Sequence, residues 1–276
     1  MALTLGQSHA STHKSLQYLN ATRAEIEKSQ LRLASGRKIV SPGDDVGGLA
    51  VAMKLEHQLT TTSSLVNNVN NAKSYAEMQL NAVENAYNII EEMESLGSNW
   101  KDATNDEQKA IYQTQFDELL VQLKSITNET VNGTPLFNNS VEVNTSALDS
   151  GSVITLDPIN ITALSQAWLD DLTSSGGGLA SFEANAGKFV DMQSEVYKFQ
   201  IQAASDISAL GFASDYLTNM ATSIESAHGR IMDVDIAEET INLSKLNLQQ
   251  EAALAAIVQA NLAMESVLKL LVSRND

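Results

Sequence analysis

Apolar side chains recur at alternating steps of three and four residues over three long stretches of this chain. From Ala52 the alternation runs through Leu55, Leu59, Thr62, Val66, Val69, Lys73, Ala76, Leu80, Val83, Tyr87 and Ile90, with only Thr62 and Lys73 polar. From Phe182 it runs through Ala186, Phe189, Gln193, Val196, Gln200, Ala203, Ile207, Leu210, Ser214, Leu217, Ala221 and Ile224. From Leu243 it runs through Leu246, Gln250, Ala253, Ile257, Ala260, Met264, Val267 and Leu271. Such a step keeps one stripe of an α-helix apolar and is the heptad seam of helices that pack on other helices. The first seam, unbroken to Gly97, predicts a helix of roughly 80 Å at about 1.5 Å per residue. The last differs from the other two. Ile241, Leu248, Leu254, Val258, Leu262 and Leu268 lie off its seam, so that helix is apolar on more than one side and needs more than one neighbour.

Shorter signals fill in the rest. Leu16, Leu19, Ile26 and Leu33 predict a first helix over 14–35, with Arg23 and Gln30 completing the stripe and Gly36 as its stop. Ser41-Pro42-Gly43-Asp44-Asp45 reads as the next helix start, with Ser41 as N-cap, Pro42 in the first turn and two carboxylates at the positive end of the helix dipole. Gly97-Ser98-Asn99 is expected to turn the chain before a helix over 106–129, and Asn132-Gly133-Thr134-Pro135 is a strong turn signal. Between 136 and 163, β-branched residues sit among Asn, Thr, Ser and Gly and predict short strands or a hairpin. The run 174–178, SSGGG, reads as a flexible linker, and Gly229 as a loosening before the last helix. The predicted fold class is mostly α, with long antiparallel coiled-coil helices, paired N- and C-terminal helices and a small insert containing a β-hairpin.

Composition agrees with helices and narrows the function. Only 5% of the 276 residues are aromatic and three are proline. The net charge of −17 argues against nucleic acid as a partner, since phosphate binding needs a basic footprint. The charge is uneven. Residues 1–56 carry 7 basic and 5 acidic side chains, residues 57–225 carry 6 and 22, and residues 226–276 carry 4 and 7. The acidic middle reads as solvated surface and the ends as contact surfaces. There is no cysteine. No stretch has the pattern of a membrane span or a cleaved secretion signal, so neither membrane insertion nor a cleaved leader is expected.

Little of this looks like catalysis. His9 and His13 have the i, i+4 spacing of a zinc pair but no third ligand nearby, and Asp44-Asp45 lacks a metal-loop spacing. No phosphate-binding glycine loop is present, so neither an enzyme nor a cofactor is expected. Four sequons, at Asn128, Asn138, Asn144 and Asn160, cluster around the insert. Such triplets arise readily in an Asn/Ser/Thr-rich chain.

Two motifs at opposite ends carry a resemblance. Leu33-Ala34-Ser35-Gly36-Arg37-Lys38-Ile39 followed by Ser41-Pro42-Gly43-Asp44-Asp45, and Gly229-Arg230-Ile231-Met232-Asp233-Val234-Asp235 followed by Leu248-Gln249-Gln250 and Gln259-Ala260-Asn261, resemble the conserved segments of bacterial flagellins in the same order. The resemblance implies a filament subunit with three zones. Residues 1–40 with 233–276 would form inner-tube helices, 41–134 with 178–232 an outer-tube core, and 135–177 a small β-rich insert and linker. It implies self-association, with Leu16, Leu19, Ile26, Leu33, Leu243, Leu246, Ala253, Ile257, Ala260, Met264, Val267 and Leu271 in the inner tube. In the outer tube it implies packing by Leu55, Leu59, Val66, Val69, Leu80, Val83, Ile90, Val196, Ala203, Ile207, Leu210 and Leu217. The family motif itself falls on Ser35, Gly36, Arg37, Asp44, Asp45, Arg230, Asp233 and Asp235.

The resemblance further implies an extracellular location and unfolded export without a cleaved signal. The flagellar export apparatus with its chaperone, and the hook-junction and cap proteins, would be partners. Where many flagellins carry an Arg-Glu-Leu triplet recognised by the innate immune receptor, this chain has Glu91-Glu92-Met93, so weak recognition is expected. A hook–filament junction protein shares both terminal patterns, and a secreted helical adhesin or effector would share the seams alone.

Overall fold

The structure, a computed structural model, describes residues 2–145, 153–160, 179 and 182–272. The described residues form helices α1 (Ala2–Ser35), α2 (Val46–Asp102), α3 (Asp106–Thr127), α4 (Phe182–Met232) and α5 (Ile236–Val272), with strands β1 (Thr130–Val131), β2 (Thr134–Pro135), β3 (Val141–Asn144) and β4 (Val153–Leu156) between α3 and α4. The fold class is the one the periodicity predicts. The chain divides into two compact units, one of Met1–His57 with Ile224–Asp276 and one of Gln58–Ser223. The 174–178 linker lies outside the described residues.

The second unit holds the larger apolar core. Along α2 the buried stripe is Thr62, Leu65, Val69, Ala72, Ala76, Gln79, Val83, Ala86, Ile90 and Met93. This is a three-and-four seam that shares every second position with the predicted one. Between the shared positions, Val66, Lys73, Leu80 and Tyr87 are only half covered. The true seam lies one residue earlier there, because small Ala72 and Ala86 let neighbouring elements approach closely. On α4, Phe189, Val196, Ala203, Leu210 and Leu217 are buried, with Gln193, Gln200, Ile207 and Ser214 half covered between them. The two helices run antiparallel within this unit. Gln193 Nε2 donates to Glu94 Oε2 at 2.8 Å, and Ser214 Oγ to Asn70 Oδ1 at 2.9 Å.

The α3 helix starts on Asn105, whose side-chain oxygen accepts from the Glu107 N–H at 3.0 Å, and carries Asp106 and Glu107 in its first turn. Its Phe116, Leu120 and Leu123 close the core over Ile90, Met93, Leu136, Phe137 and Phe189. The sequence reading places a turn at Gly97, and there the structure differs. Leu96 and Gly97 are buried inside α2, which continues to Asp102 before the chain turns. A buried leucine beside a glycine that needs no room outweighs the cost of roughly 1 kcal/mol for glycine in a helix.

The Asn132-Gly133 turn takes left-handed φ at both residues, +51° and +81°, the geometry of a two-residue hairpin turn. It pairs Val131 with Thr134. The second hairpin pairs Val141 with Leu156 and Val143 with Ile154, and its buried face, Val143 and Leu156, packs on Leu65, Val69, Leu210 and Leu217. Period-two alternation thus appears in the stretch that breaks the helical period.

Candidate functional site

In the first unit, α1 and α5 pack on each other. They are joined at one end by an antiparallel bridge between Arg37 and Asp233. The Val234 N–H donates to the Gly36 carbonyl at 3.0 Å, and the Lys38 N–H donates to the Met232 carbonyl. The two helices therefore leave a shared junction and run side by side in opposite chain directions.

The motif residues build that junction. Gly36 stops α1 with φ +68°, a conformation that costs a residue with a side chain about 1 kcal/mol or more. The Ser35 hydroxyl accepts from the Arg37 N–H at 3.2 Å. Asp44 accepts from the Val40 and Ser41 N–H groups at 3.1 and 3.0 Å and pairs with Lys28 at 2.7 Å. The Lys28 ammonium above all, then the Ser41 and Val40 amides, hold its carboxyl well below the usual carboxylate range. Asp235 caps α5 through Oδ1, which accepts from Ala237 and Glu238. Arg230 is exposed.

Two features of this junction differ from the sequence reading. Ser41 is not the N-cap of α2. It opens a turn in which the Asp44 N–H donates to its carbonyl at 3.0 Å, with Pro42 and Gly43 inside the turn. The cap is Asp45, whose Oδ1 accepts from the Gly48 N–H at 2.8 Å. Asp44 is committed to the turn and to Lys28, so the cap falls on its neighbour. Gly229 does not loosen the chain either. It is an interior residue of α4, and the Asp233 carboxylate lies so near that a Cβ there would meet Oδ2 at 2.7 Å.

The helix pair covers one face and leaves another open. On α1, Leu19 and Ile26 are buried and Leu33 is half covered, whereas Leu16, Arg23 and Gln30 are exposed. Thr22 and Ser29 take the covered positions that spacing assigned to Arg23 and Gln30. On α5, Leu243, Leu246, Gln250, Ala253, Ile257, Ala260 and Met264 are half covered. Val267 and Leu271 are helical, but their side chains lie outside the described residues. The off-seam set is open to solvent, with Ile241 71%, Leu248 67%, Val258 57% and Leu262 56% exposed. Ile236 and Leu254 extend the same uncovered surface.

Sequence reasoning missed a polar cluster inside this pair. Glu239 is buried beside Arg32, with Nη1 3.9 Å from Oε2, and accepts from Asn242 Nδ2 at 3.3 Å. Ser29 is buried with its hydroxyl unbonded. By sequence, Arg32 is a basic residue at the negative end of the first helix, and nothing near Glu239 signals burial. Only the pairing of residues about 200 apart in the chain, which the bridge at Arg37 and Asp233 imposes, brings them together.

The chemistry available here is association. Among the described residues no group of three potential metal ligands is found, and no helix is long and apolar enough to cross a membrane. The sites assigned to the outer tube, Leu55, Leu59, Val66, Val69, Leu80, Val83, Ile90, Val196, Ala203, Ile207, Leu210 and Leu217, are all buried or half covered.

Residues 7–142 match the description of the bacterial flagellin N-terminal helical region, and residues 205–271 that of the bacterial flagellin C-terminal helical region. The chain is 26% identical to a flagellin of Halalkalibacterium halodurans, with 89% of this chain and 91% of that protein aligned. It is 24% identical to flagellin FljK of Caulobacter vibrioides, with 98% and 99% aligned. Its fold is similar to that of a solved protein of Vibrio parahaemolyticus described as a flagellar hook-associated protein, at a TM-score of 0.55, 14% identity, and 69% of this chain and all of that one aligned.

Proposed function

The chain belongs to the bacterial flagellin family, and on that premise we propose that the open face of α5, with the helix pair behind it, is the surface through which its copies stack. The protein is a structural subunit of the extracellular flagellar filament and not an enzyme. The single observation that carries the assembly reading is the row of exposed aliphatic side chains on α5. A contiguous apolar face on a water-exposed helix marks an interaction site. Covering six such side chains at about 1.5–3 kcal/mol each yields a gross gain on the order of 10 kcal/mol, against which ordering and association costs are set.

A contact between different faces of identical subunits does not close on itself and propagates as a helical polymer. In this reading residues 1–40 and 233–276 form the inner tube, 41–134 and 178–232 the outer tube, and 135–177 a modest outer insert. Export through the flagellar apparatus with its chaperone, and contact with hook-junction and cap proteins, complete the proposed life of the subunit. The family resemblance supports these partners. The test is a chain ended at Met232, compared with the full chain by electron microscopy after seeding. The truncated chain is expected to stay monomeric, and normal filaments from it would overturn the reading.

A further inference from the structure

Within the second unit, α2 and the two hairpins enclose a cleft of about 780 Å³, inside the roughly 300–1,000 Å³ range of small-ligand sites. Its lining is chemically unusual. Five asparagines line it: Asn68 and Asn71 from α2, Asn132 from the β1–β2 turn, Asn139 before β3 and Asn144 at its end. Asn139 bonds the Tyr75 hydroxyl, and among the described residues no partner is seen for the side chains of Asn68, Asn71, Asn132 and Asn144. Each amide offers two donors and a carbonyl acceptor, and Ser74, Thr134 and Ser140 add hydroxyls. Met78, Val141 and Val143 supply apolar surface between them.

The charge balance argues against charged ligands. Among the described residues of the lining, Glu142 alone is charged. With no lysine or arginine, nothing there compensates a phosphate or sulfate, and one carboxylate does not make a cation site. Clustered neutral donors and acceptors with a single carboxylate, interleaved with aliphatic surface, match a molecule with many hydroxyls and apolar C–H faces. We propose that this cleft binds a neutral oligosaccharide of about two or three units, a size its volume accommodates.

The walls are held in place before any ligand arrives. The Tyr75 hydroxyl donates to the Pro135 carbonyl at 2.7 Å, and Gln79 Nε2 to the Leu136 carbonyl at 2.7 Å, fastening the first hairpin to α2. Asn132 sits in a tight left-handed turn. A site with its backbone already fixed loses less entropy on binding. The inference is independent of the stacking surface, which lies in the other unit.

Saturation-transfer NMR on the full-length monomer tests it, with lactose, maltotriose and N,N′-diacetylchitobiose as separate millimolar probes. Transfer to at least one sugar is expected, falling several-fold in the Asn68→Ala/Asn71→Ala variant. Both positions are exposed on a helix, so unchanged ellipticity will show that the variant folds. No transfer to any of the three, or equal transfer in the variant, overturns the proposal. It is equally overturned if sugars have no effect while polymerisation shifts the cleft's asparagine side-chain resonances, because the cleft would then be a contact between copies.

Discussion

The two units use the same sequence device and finish it differently. In Gln58–Ser223 the seams of α2 and α4 find their partners in the same chain, and Phe116, Phe137, Phe189, Ile90 and Leu210 are almost wholly buried. In the unit made of both termini, large buried aliphatics are few, chiefly Leu19, Ile26 and Ile39, while Ile236, Ile241, Leu248, Val258 and Leu262 stand open. A heptad pattern therefore does not reveal whether its partner is internal. What separates the cases is the apolar residue off the seam. The seam of α2 is flanked largely by polar residues, whereas that of α5 is flanked by leucine, isoleucine and valine, which one neighbouring helix leaves uncovered.

The sharpest way to break this contrast is a matched pair of truncations. Phe116→Ala is expected to lower the stability of the monomer by about 3–5 kcal/mol in urea unfolding, the cost of an emptied aromatic core site. Leu262→Ala is expected to leave it within about 0.5 kcal/mol while reducing seeded growth measured by light scattering. Equal losses of stability would show that the two units do not differ.

A smaller effect probes how the core unit holds its hairpin. Gln79 is only 2% exposed and serves the Leu136 carbonyl. Gln79→Leu leaves that carbonyl only the longer bond from the Tyr75 hydroxyl, at 3.2 Å, and should cost about 1 kcal/mol. A variant as stable as the parent would remove the amide from the account.

The mildest effect concerns Asp206, a buried carboxylate in the same unit. Burial chiefly pushes its carboxyl above the usual range, opposed by the bond from Gln202 Nε2 at 3.0 Å and reinforced by the charge of Asp157. A carboxyl raised in the folded state favours folding when protonated, and that advantage is lost as pH rises through the folded value. Asp206→Asn keeps an acceptor for Gln202 without the charge. It should raise the melting temperature at neutral pH, with the gain disappearing below the ordinary carboxylate range. A gain that persisted in acid would assign the effect to packing instead.

Much of the fold was legible because helical periodicity is a local property. The seams, the Gly36 stop and the Asn132-Gly133 turn all follow from a residue and its near neighbours. What escaped depends on partners distant in the chain. The α2 stripe drifted from its predicted line at Leu65, Ala72, Gln79 and Ala86, since alanine and glutamine carry weak apolar signals, and only close packing and the Leu136 carbonyl reveal them. The Arg32–Glu239 pair was hidden for the same reason. The Ser41 cap was misplaced because Asp44 and Asp45 are equally good caps by type, and the Lys28 contact decides between them. The open face of α5, by contrast, was visible at once as leucines and valines with no place on a single seam.

The central claim is that this face is uncovered in the monomer and covered in the polymer. The chain has no cysteine, so Val258→Cys introduces a single thiol on that face with little change in size or polarity. Its rate of reaction with a maleimide should match that of a free exposed thiol in the monomer and fall sharply once filaments form. An equal rate in monomer and filament would contradict the account.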